Sequence, residues 1–396
     1  MSPRAVPGPM AWAGPATPDR RLASLFARRS TTEPSKASSV GILSTQSRTR
    51  DGVANFTTSL AAALMANTPG LSVEVVRVAS TEGLAADGRA AARALNKFDV
   101  AIIQHEHGGH RGDDGDRVLE VLEWLLVPVV VVMHTVPATP DPHQLYVLEM
   151  LTQSADAVVT MSQSGRRRLL DDYRVEPRKL MLIPHGAPVA DEVARPAGRA
   201  RRPMVLTWGV LGPGKGVEWG IDALSEMNLL RPRPRYVVAG QMEPEGDGGY
   251  LQFLKRRAQE RSVGHMVEFE PGFISPERLR ELLREADVVL LPYDSHEQVT
   301  SGVLVESLAA MVPVVCTAFP HAVDLLRDGQ GGTVVPHGDS AAIAAAVTRI
   351  AVEPAVAAAM SAHNATLTSL VGWPTVAGQY LQLFHALTRR PSAASR

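Results

Sequence analysis

The chain contains a single cysteine, Cys316, among 396 residues. One cysteine excludes an intrachain disulfide, and a chain without disulfides is typical of a reducing compartment, so we predict a cytoplasmic location. The formal net charge is only −1, which provides no large electrostatic field to favour nucleic acid or an anionic membrane. We therefore expect small-molecule partners, no nucleic acid, and at most peripheral membrane contact.

Long hydrophobic runs are also missing. The longest lies near Val127–Met133, which is the length of a strand and far short of the ~20 residues that span a bilayer. Residues Met1–Ser38 are rich in Pro, Ala, Arg and Ser and have neither helical nor strand periodicity. This composition predicts a disordered N-terminal extension over residues 1–38, and its arginines fit a solvated tail better than a short membrane-touching helix.

Strand-length apolar runs alternate with helical patterns along the rest of the chain, as parallel βαβ units do. The alternation forms two series, separated by a stretch that is rich in Pro, Gly and Arg and lacks periodicity. With 45% apolar residues, the chain is long enough to bury two cores. The predicted strands are Val40–Leu43, Val73–Val78, Val100–Gln104, Val127–His134, Ala157–Met161, Leu180–Pro184, Met204–Trp208, Tyr236–Gly240, Val267–Glu270, Val288–Leu291, Val312–Cys316 and Thr333–Pro336.

This order predicts an α/β protein with two Rossmann-like, doubly wound parallel-sheet domains that face each other across a cleft. We predict the first domain over residues 39–188, a linker over residues 189–203 and the second domain over residues 204–372. Residues 373–388 have the pattern of an amphipathic helix that crosses back to the first domain, and residues 389–396 are predicted to fray. Ligands of such sheets bind at the carboxyl ends of the strands.

The segment after the strand Val288–Leu291 is the most informative part of the sequence. A loop leads into a helix predicted over Val303–Ala310, and the N–H groups at a helix start attract phosphate because they are unpaired and partly positive. Glu306, about one turn later, can accept hydrogen bonds from sugar or ribose hydroxyls. An ordinary strand–loop–helix unit has the same pattern. The candidate phosphate-binding amides are those of Ser301, Gly302 and Val303.

Two other strands are followed by polar side chains suited to a ligand. Lys215 lies in the Gly-rich turn of Leu206–Gly216, where its charge can balance that of a leaving diphosphate. His134 follows the apolar run Val129–Met133 and can donate or accept a hydrogen bond at neutral pH, although a core histidine fits the same position. His321, after the strand that holds Cys316, also borders the predicted cleft.

Gly52 lies just before a predicted helix, Ala54–Met65, with Arg48 and Arg50 close by in sequence. This arrangement fits a loop that binds phosphate or an acceptor sugar, and it also fits a simple helix-capping turn.

Three histidines follow another strand, in Gln104–His110. His105 and His107 share one face of an extended strand and His110 adds a further ligand, which permits a metal-dependent hydrolase. The helical His-Glu-x-x-His spacing is absent, however. We favour an acceptor pocket that includes His107, with an ordinary loop as the third alternative.

The sequence from Val288 to Gly332 resembles the donor-site signature of the retaining family 4 glycosyltransferases. Members usually carry two glutamates eight positions apart around a Gly-containing helix start, followed by a small-residue-Pro-Val-Val strand. Glu306 fills the second glutamate position, whereas Gln298 stands at the first with Glu297 beside it. The strand that ends at His134 is similar to one in the phosphatidylinositol mannosyltransferase group.

The second domain carries a further part of the resemblance. Lys215 and Gly216 match the family's Gly-rich turn, but Val210 stands in the region of its arginine. The family also usually has Pro-Asn-Gly at the end of the first domain, where this chain has His185 in place of Asn.

The resemblance implies a GT-B fold and a retaining transferase that moves a hexose-type sugar from a nucleotide-diphosphate sugar to a hydroxyl of a glycan, lipid or small molecule. It implies no cofactor and no divalent metal. His134 would contact the transferred sugar as the catalytic residue. The implied donor-binding residues are Lys215, Gln298, Ser301, Gly302, Val303 and Glu306, and the implied acceptor or phosphate loop contains Gly52, Arg48, Arg50 and His107.

Two alternatives to this function remain besides the hydrolase. Val210 and Gln298 stand where the family has charged residues, which favours a noncatalytic relative that binds a nucleotide sugar without transferring it. A nicotinamide oxidoreductase is disfavoured because no Gly-x-Gly-x-x-Gly turn follows Val40–Leu43.

Overall fold

The structure is a computed structural model that describes residues 37–44, 52–77, 84–107, 112–189, 202–227, 230–242 and 249–388. Most of the predicted N-terminal extension, most of the predicted linker and the predicted C-terminal tail lie outside the described residues. Three predicted ligand-binding residues also lie outside them, namely Arg48, Arg50 and His110.

Twelve strands are described, and each overlaps one of the twelve predicted from the sequence. They are β1 Ser39–Ser44, β2 Ser72–Arg77, β3 Val100–His105, β4 Val129–Met133, β5 Ala157–Thr160, β6 Leu180–Leu182, β7 Met204–Leu211, β8 Arg235–Met242, β9 Val267–Pro271, β10 Val288–Leu291, β11 Val314–Thr317 and β12 Gly332–Val335. They form two parallel six-stranded sheets, with the orders β2-β1-β3-β4-β5-β6 and β12-β11-β10-β7-β8-β9. The predicted pair of Rossmann-like sheets is confirmed.

Thirteen α-helices connect or cover these strands in the described part of the chain. They are α1 Gly52–Asn67, α2 Leu84–Leu95, α3 Val118–Leu122, α4 Pro142–Ser154, α5 Gln163–Asp171, α6 Val217–Glu226, α7 Gly249–Glu260, α8 Pro276–Glu285, α9 Gly302–Ala309, α10 Pro320–Leu326, α11 Ser340–Val352, α12 Pro354–Val371 and α13 Trp373–Thr388. None of them alone is long and apolar enough to cross a membrane, although α11 and α12 together meet that test of length and composition with a bend of 94° between them.

The sheets are buried on both faces, which explains why their strands are continuous apolar runs. Along β4, Val130 and Val132 pack into the core on one face of the first sheet, whereas Val131 and Met133 pack into the core on the other face. Each such side chain contributes about 1.5–3 kcal/mol when it is removed from water. Helices cover both faces because parallel strands are joined by crossovers.

The last helix, α13, belongs to the core of the first sheet. Val376, Tyr380 and Phe384 recur at helical spacing and are fully buried in that core. The end of the first sheet's chain segment is bonded to the start of α13: the Ala187 N–H donates to the Val371 carbonyl at 2.8 Å, and the Trp373 N–H donates to the Ala187 carbonyl at 3.0 Å. The segment that ends the first sheet and the segment that returns to it are therefore hydrogen-bonded to each other.

Candidate functional site

The loops after β7, β10 and β11 lie side by side at the carboxyl edge of the second sheet, because these three strands are neighbours. The Asp294 N–H donates to the Gly214 carbonyl at 2.9 Å, which joins the first loop to the second. The His321 N–H donates to the Gln298 carbonyl at 3.3 Å, which joins the second to the third. The three loops form one connected surface, where parallel sheets bind ligands.

Lys215 lies in the first of these loops, with its Nζ 4.9 Å from the centre of the Tyr293 ring. A cation over an aromatic face at this distance is held by electrostatic attraction. The next residue, Gly216, has φ +65°, and a Cβ added there would lie 1.8 Å from the Pro292 carbonyl oxygen. Glycine is therefore required at this position, and it brings the start of α6 against the end of β10.

Ser301 caps α9, since its Oγ accepts a hydrogen bond from the Leu304 N–H at 3.2 Å. Its own N–H donates to Nδ1 of His321 at 2.9 Å. The Ser301 amide is therefore not one of the unpaired donors expected from the sequence, and the amides of Gly302 and Val303 are the remaining two. Burial lowers the pKa of His321 to about 3, so this histidine stays neutral and accepts the bond. His321 positions the loop.

Glu306 is the least compensated charge of the candidate site. Burial alone raises its pKa from 4.5 to about 7, and no described side chain forms a hydrogen bond or ion pair with its carboxylate. A carboxylate that loses water without gaining a partner destabilises the fold. Such perturbed groups are concentrated at functional sites.

Glu297 and Gln298, which are adjacent in sequence, have different hydrogen-bond partners. The Glu297 carboxylate crosses the cleft, where it accepts hydrogen bonds from the Ala138 N–H at 2.7 Å and from Arg168 Nη1 at 2.9 Å. Gln298 remains in its own loop and donates from Nε2 to the Thr300 carbonyl at 3.1 Å. The carboxylate of Glu297 is therefore held by the first domain, whereas the amide of Gln298 stays on the side of the second sheet.

His134 lies at the end of β4, at the carboxyl edge of the first sheet. Its Nε2–H donates to Oε1 of Gln104 on β3 at 2.7 Å, which leaves Nδ1 as a hydrogen-bond acceptor. Burial lowers the pKa of His134 to about 3, with a smaller contribution from His185. The imidazole is therefore neutral and can accept a hydrogen bond from a hydroxyl group.

Phe56, on α1, lies between His134 and His185, which is at the end of the first domain. Its ring centre lies 5.0 Å from that of His134 and 4.9 Å from that of His185, both edge-on. His185 in turn contacts the start of α9, because a Cβ added to Gly302 would lie 2.8 Å from its Nε2. A chain of direct contacts therefore runs from His134 to the N-terminus of α9.

His185 replaces the usual Asn at the end of the first domain, and it is buried between the two sheets. Its Nδ1–H donates to the Gly186 carbonyl at 2.7 Å. Burial lowers the pKa of His185 to about 4, so it is neutral. The sequence pattern did not predict this role, because the contact with Gly302 joins residues that are far apart in the chain.

The predicted acceptor or phosphate loop is only partly described. Gly52 begins α1, and no atom lies within 4 Å of a Cβ added there. His107 donates its N–H to Oγ1 of Thr135 at 3.0 Å, next to His134 in the chain. Burial lowers the pKa of His107.

Only two of the three histidines of the hydrolase alternative, His105 and His107, are among the described residues. His105 is fully buried on β3, and its ring lies edge-on to that of His107 with 5.7 Å between centres. No group of three potential ligands in the described part of the chain includes either residue.

Comparison with known proteins places these features in a family. The profile described as "Glycosyltransferase Family 4" matches residues 72–191, and that described as "Glycosyl transferases group 1" matches residues 191–365. The D-inositol 3-phosphate glycosyltransferase of Thermomonospora curvata is 28% identical over 287 residues, which cover 65% of this chain and 66% of the relative. The enzyme of the same name from Streptomyces avermitilis is 26% identical over 370 residues, which cover 84% of this chain and 78% of the relative.

The chain thus spans slightly less than two thirds of the Thermomonospora curvata protein. Among solved structures, sucrose-phosphate synthase from Thermosynechococcus elongatus matches with a TM-score of 0.70 and 20% sequence identity. The match covers 88% of this chain and 98% of the synthase chain. Anabaena HepE in complex with UDP-glucose matches with a TM-score of 0.70 and 17% sequence identity. The match covers 88% of this chain and 100% of the HepE chain.

These solved structures have the same overall fold as this chain, with two domains built on parallel sheets. The two family profiles meet at residue 191, which lies between the two sheets in sequence. The chain belongs to the family 4 glycosyltransferases and has their GT-B fold.

Proposed function

We propose that this protein transfers a hexose-type sugar from a nucleotide-diphosphate sugar to an acceptor hydroxyl, with retention of anomeric configuration. The observation that carries the proposal is the run of contacts from His134 through Phe56 and His185 to Gly302. These contacts link His134, which we propose contacts the sugar, to the helix start that we propose holds the donor phosphates. A site shared between both domains suits a reaction with two substrates.

The second domain would bind the donor. The amides of Gly302 and Val303, at the start of α9, offer hydrogen bonds and a partial positive charge to a phosphate. Lys215 supplies a full positive charge beside the same surface, and the charge of the diphosphate grows as the sugar–phosphate bond breaks. Glu306 would accept hydrogen bonds from ribose or sugar hydroxyls, and Gln298 would contact the sugar with an amide.

The first domain would hold the sugar and the acceptor. Neutral His134, with Nε2 bonded to Gln104, would accept a hydrogen bond from a sugar hydroxyl through Nδ1. Gly52 and His107 border the space in which an acceptor would lie, and Arg48 and Arg50 are proposed to contribute from the loop before Gly52.

Retention follows from attack on the face from which the diphosphate leaves. In this step the acceptor oxygen forms the new bond to the anomeric carbon, the bond from that carbon to the phosphate oxygen breaks, and the acceptor proton passes to the departing phosphate. Binding both groups on one face lowers the barrier by orientation. We propose no cofactor and no catalytic divalent metal for this step.

The acceptor class is proposed as a glycan, lipid or small polyhydroxyl molecule. The names of the curated relatives, D-inositol 3-phosphate glycosyltransferases, support a small polyhydroxyl compound with a phosphate as the first candidate to assay. We propose that the protein works in the cytoplasm, with at most peripheral membrane contact if the acceptor is a lipid.

Donor binding is tested by thermal unfolding of the full chain with UDP-, GDP- and ADP-sugars. A ligand at 100 times its dissociation constant stabilises the folded state by about 2.7 kcal/mol. We expect one nucleotide to raise the midpoint, Lys215→Ala and Glu306→Ala to abolish the rise, and the exposed control Lys255→Ala to preserve it. The absence of a rise with any of these donors contradicts the proposal.

A noncatalytic donor-binding protein is the second candidate, because Gln298 and Val210 replace charged residues of the family. It predicts the same thermal shift without transfer. Incubation with the selected donor and inositol phosphates, followed by NMR of the anomeric proton, separates the two. A product that keeps the donor's configuration at the anomeric carbon supports a retaining transferase, and a product with the inverted configuration contradicts retention. If neither phosphorylated nor plain inositol gives a product, the result favours the noncatalytic protein.

A further inference from the structure

A cluster of potential metal ligands lies beside the loops of the second sheet but includes none of the residues assigned to donor or acceptor. Asp294 and His296 belong to the loop after β10, and His337 lies in the turn between β12 and α11. One ligand atom from each residue lies within 4.8 Å of the other two. Two loops that are distant in sequence therefore place two imidazoles and a carboxylate together.

His337 is arranged as a metal ligand usually is. Its Nδ1–H donates to the Tyr293 carbonyl at 2.9 Å, which fixes the tautomer and leaves the lone pair on Nε2. That Nε2 atom is covered from solvent and has no hydrogen-bond partner in the described part of the chain. A histidine that donates one nitrogen to a carbonyl and offers the other to an ion is the common outer-shell pattern of metal sites.

The other two residues can reach His337. The ring centre of His296 lies 4.1 Å from that of His337, at an angle of 46°. Asp294 is exposed, and its backbone is held by the bond from its N–H to the Gly214 carbonyl. The carboxylate is thus free to rotate while its Cα stays fixed.

Tetrahedral zinc with bonds of about 2.0–2.2 Å requires its ligand atoms to be about 3.4 Å apart. The observed limit of 4.8 Å exceeds this by little more than 1 Å, which rotation of the two exposed side chains, His296 and Asp294, can close. Imidazole and carboxylate suit zinc, and three protein ligands leave a fourth position for water.

We propose that Asp294, His296 and His337 bind Zn²⁺ and that this ion fastens the loop after β10 to the turn after β12. The fastened loop contains Tyr293, whose ring lies under the Lys215 ammonium. The ion would therefore hold the surface on which Lys215 rests. It would have a structural role, and the proposal does not depend on the transferase function.

The test uses the tag-free full chain after treatment with EDTA and dialysis. Zinc chloride is titrated calorimetrically, the bound metal is counted by mass spectrometry, and Co²⁺ is added separately to record its visible absorption. We expect one ion per chain, a rise in the unfolding midpoint with zinc, and the strong absorption of a low-symmetry Co²⁺ site.

His296→Ala is the decisive variant because His296 is exposed, so its removal leaves the fold intact, which circular dichroism verifies. It should weaken zinc binding at least about tenfold, since loss of even an outer-shell partner costs 10–100-fold. His337→Ala should act similarly. The exposed His265, which contacts Arg233 at 3.2 Å, supplies a control: His265→Ala should bind zinc as the wild type does.

Failure of the wild type to bind zinc, or equal affinity in His296→Ala and the wild type, overturns the proposal. An equal loss in His265→Ala also overturns it, because the binding would then not belong to this cluster. Lys215→Ala should bind zinc as the wild type does, because Lys215 is not one of the three ligands, so failure of the donor assays leaves the zinc result unaffected.

Discussion

Replacing Glu306 by glutamine should stabilise the protein at alkaline pH and leave its stability unchanged at acidic pH. The carboxyl pKa is raised by burial from 4.5 to about 7, so the folded state favours the protonated form. As pH rises from about 4.5 to about 7, the Glu306 carboxyl group ionises in the unfolded chain but stays protonated in the folded chain. The free energy of unfolding therefore falls across this window. At about 1.4 kcal/mol per pH unit, the cost reaches about 3 kcal/mol above pH 7.

Glutamine has nearly the same shape as glutamate and cannot ionise, so the variant does not lose stability as pH rises. Urea unfolding of the wild type and Glu306→Gln at several pH values measures the difference directly, and the exposed Glu226→Gln on α6 provides the matched control. We expect a stability gain that grows with pH in Glu306→Gln and stays near zero in the control. A gain that is the same at every pH, or a variant less stable than the wild type at about pH 8, would refute the reasoning.

The same ionisation should influence donor binding in the opposite direction. Ribose and sugar hydroxyls donate hydrogen bonds to a carboxylate better than to a neutral carboxyl group, so donor affinity in the wild type should rise as pH passes about 7. Glu306→Gln should bind the donor more weakly and without this pH dependence. Calorimetric titration of the selected donor at three pH values tests both statements together.

Three further substitutions test the contacts between the domains. His134→Ala should lower kcat by at least tenfold, and the pH profile of the wild-type kcat should show no step from this residue above about pH 4, since its pKa is about 3. Gly302→Ala should weaken donor binding because the new methyl group clashes with His185, and adding His185→Ala should restore part of it. Arg168→Ala should remove the link to Glu297 and increase the radius of gyration in small-angle scattering, with a stability loss of about 1–3 kcal/mol.

Clear outcomes would count against these predictions. An unchanged kcat in His134→Ala removes this residue from the reaction centre, and a double variant no better than Gly302→Ala shows that the clash is not with His185. Scattering and stability that are both unchanged in Arg168→Ala mean that the link to Glu297 does not hold the domains together. His363→Ala, on α12, is a control for all three measurements.

The sequence predicted the sheets because their physical cause is local. A strand such as β4, covered on both faces, must be apolar at every position, and its valines repeat without interruption. The start of α9 was equally visible, since Ser301 and Gly302 combine a capping hydroxyl with a residue that has no side chain.

The fine structure of the site was not predictable, because it depends on contacts between distant segments. The Ser301 amide was expected to be unpaired, yet the structure pairs it with His321 from the neighbouring loop. Glu297 and Gln298 are adjacent in sequence, and the positions of Ala138 and Arg168 on the opposite domain give them different partners. The contact between His185 and Gly302 has no local pattern at all.

The hydrogen-bonded crossing of Ala187 and residues 371–373 restricts how the two domains can move. These two bonds act as a pivot: a rotation of the domains can preserve them, whereas sliding or separation at this place would break the bonds at 2.8 and 3.0 Å. Motions of this kind are absorbed by a few residues at element ends. Opening of the cleft is therefore expected as a rotation about this place, which must break the bonds between Glu297 and both Ala138 and Arg168, and a distance measured across the cleft, for example between spin labels, would report it.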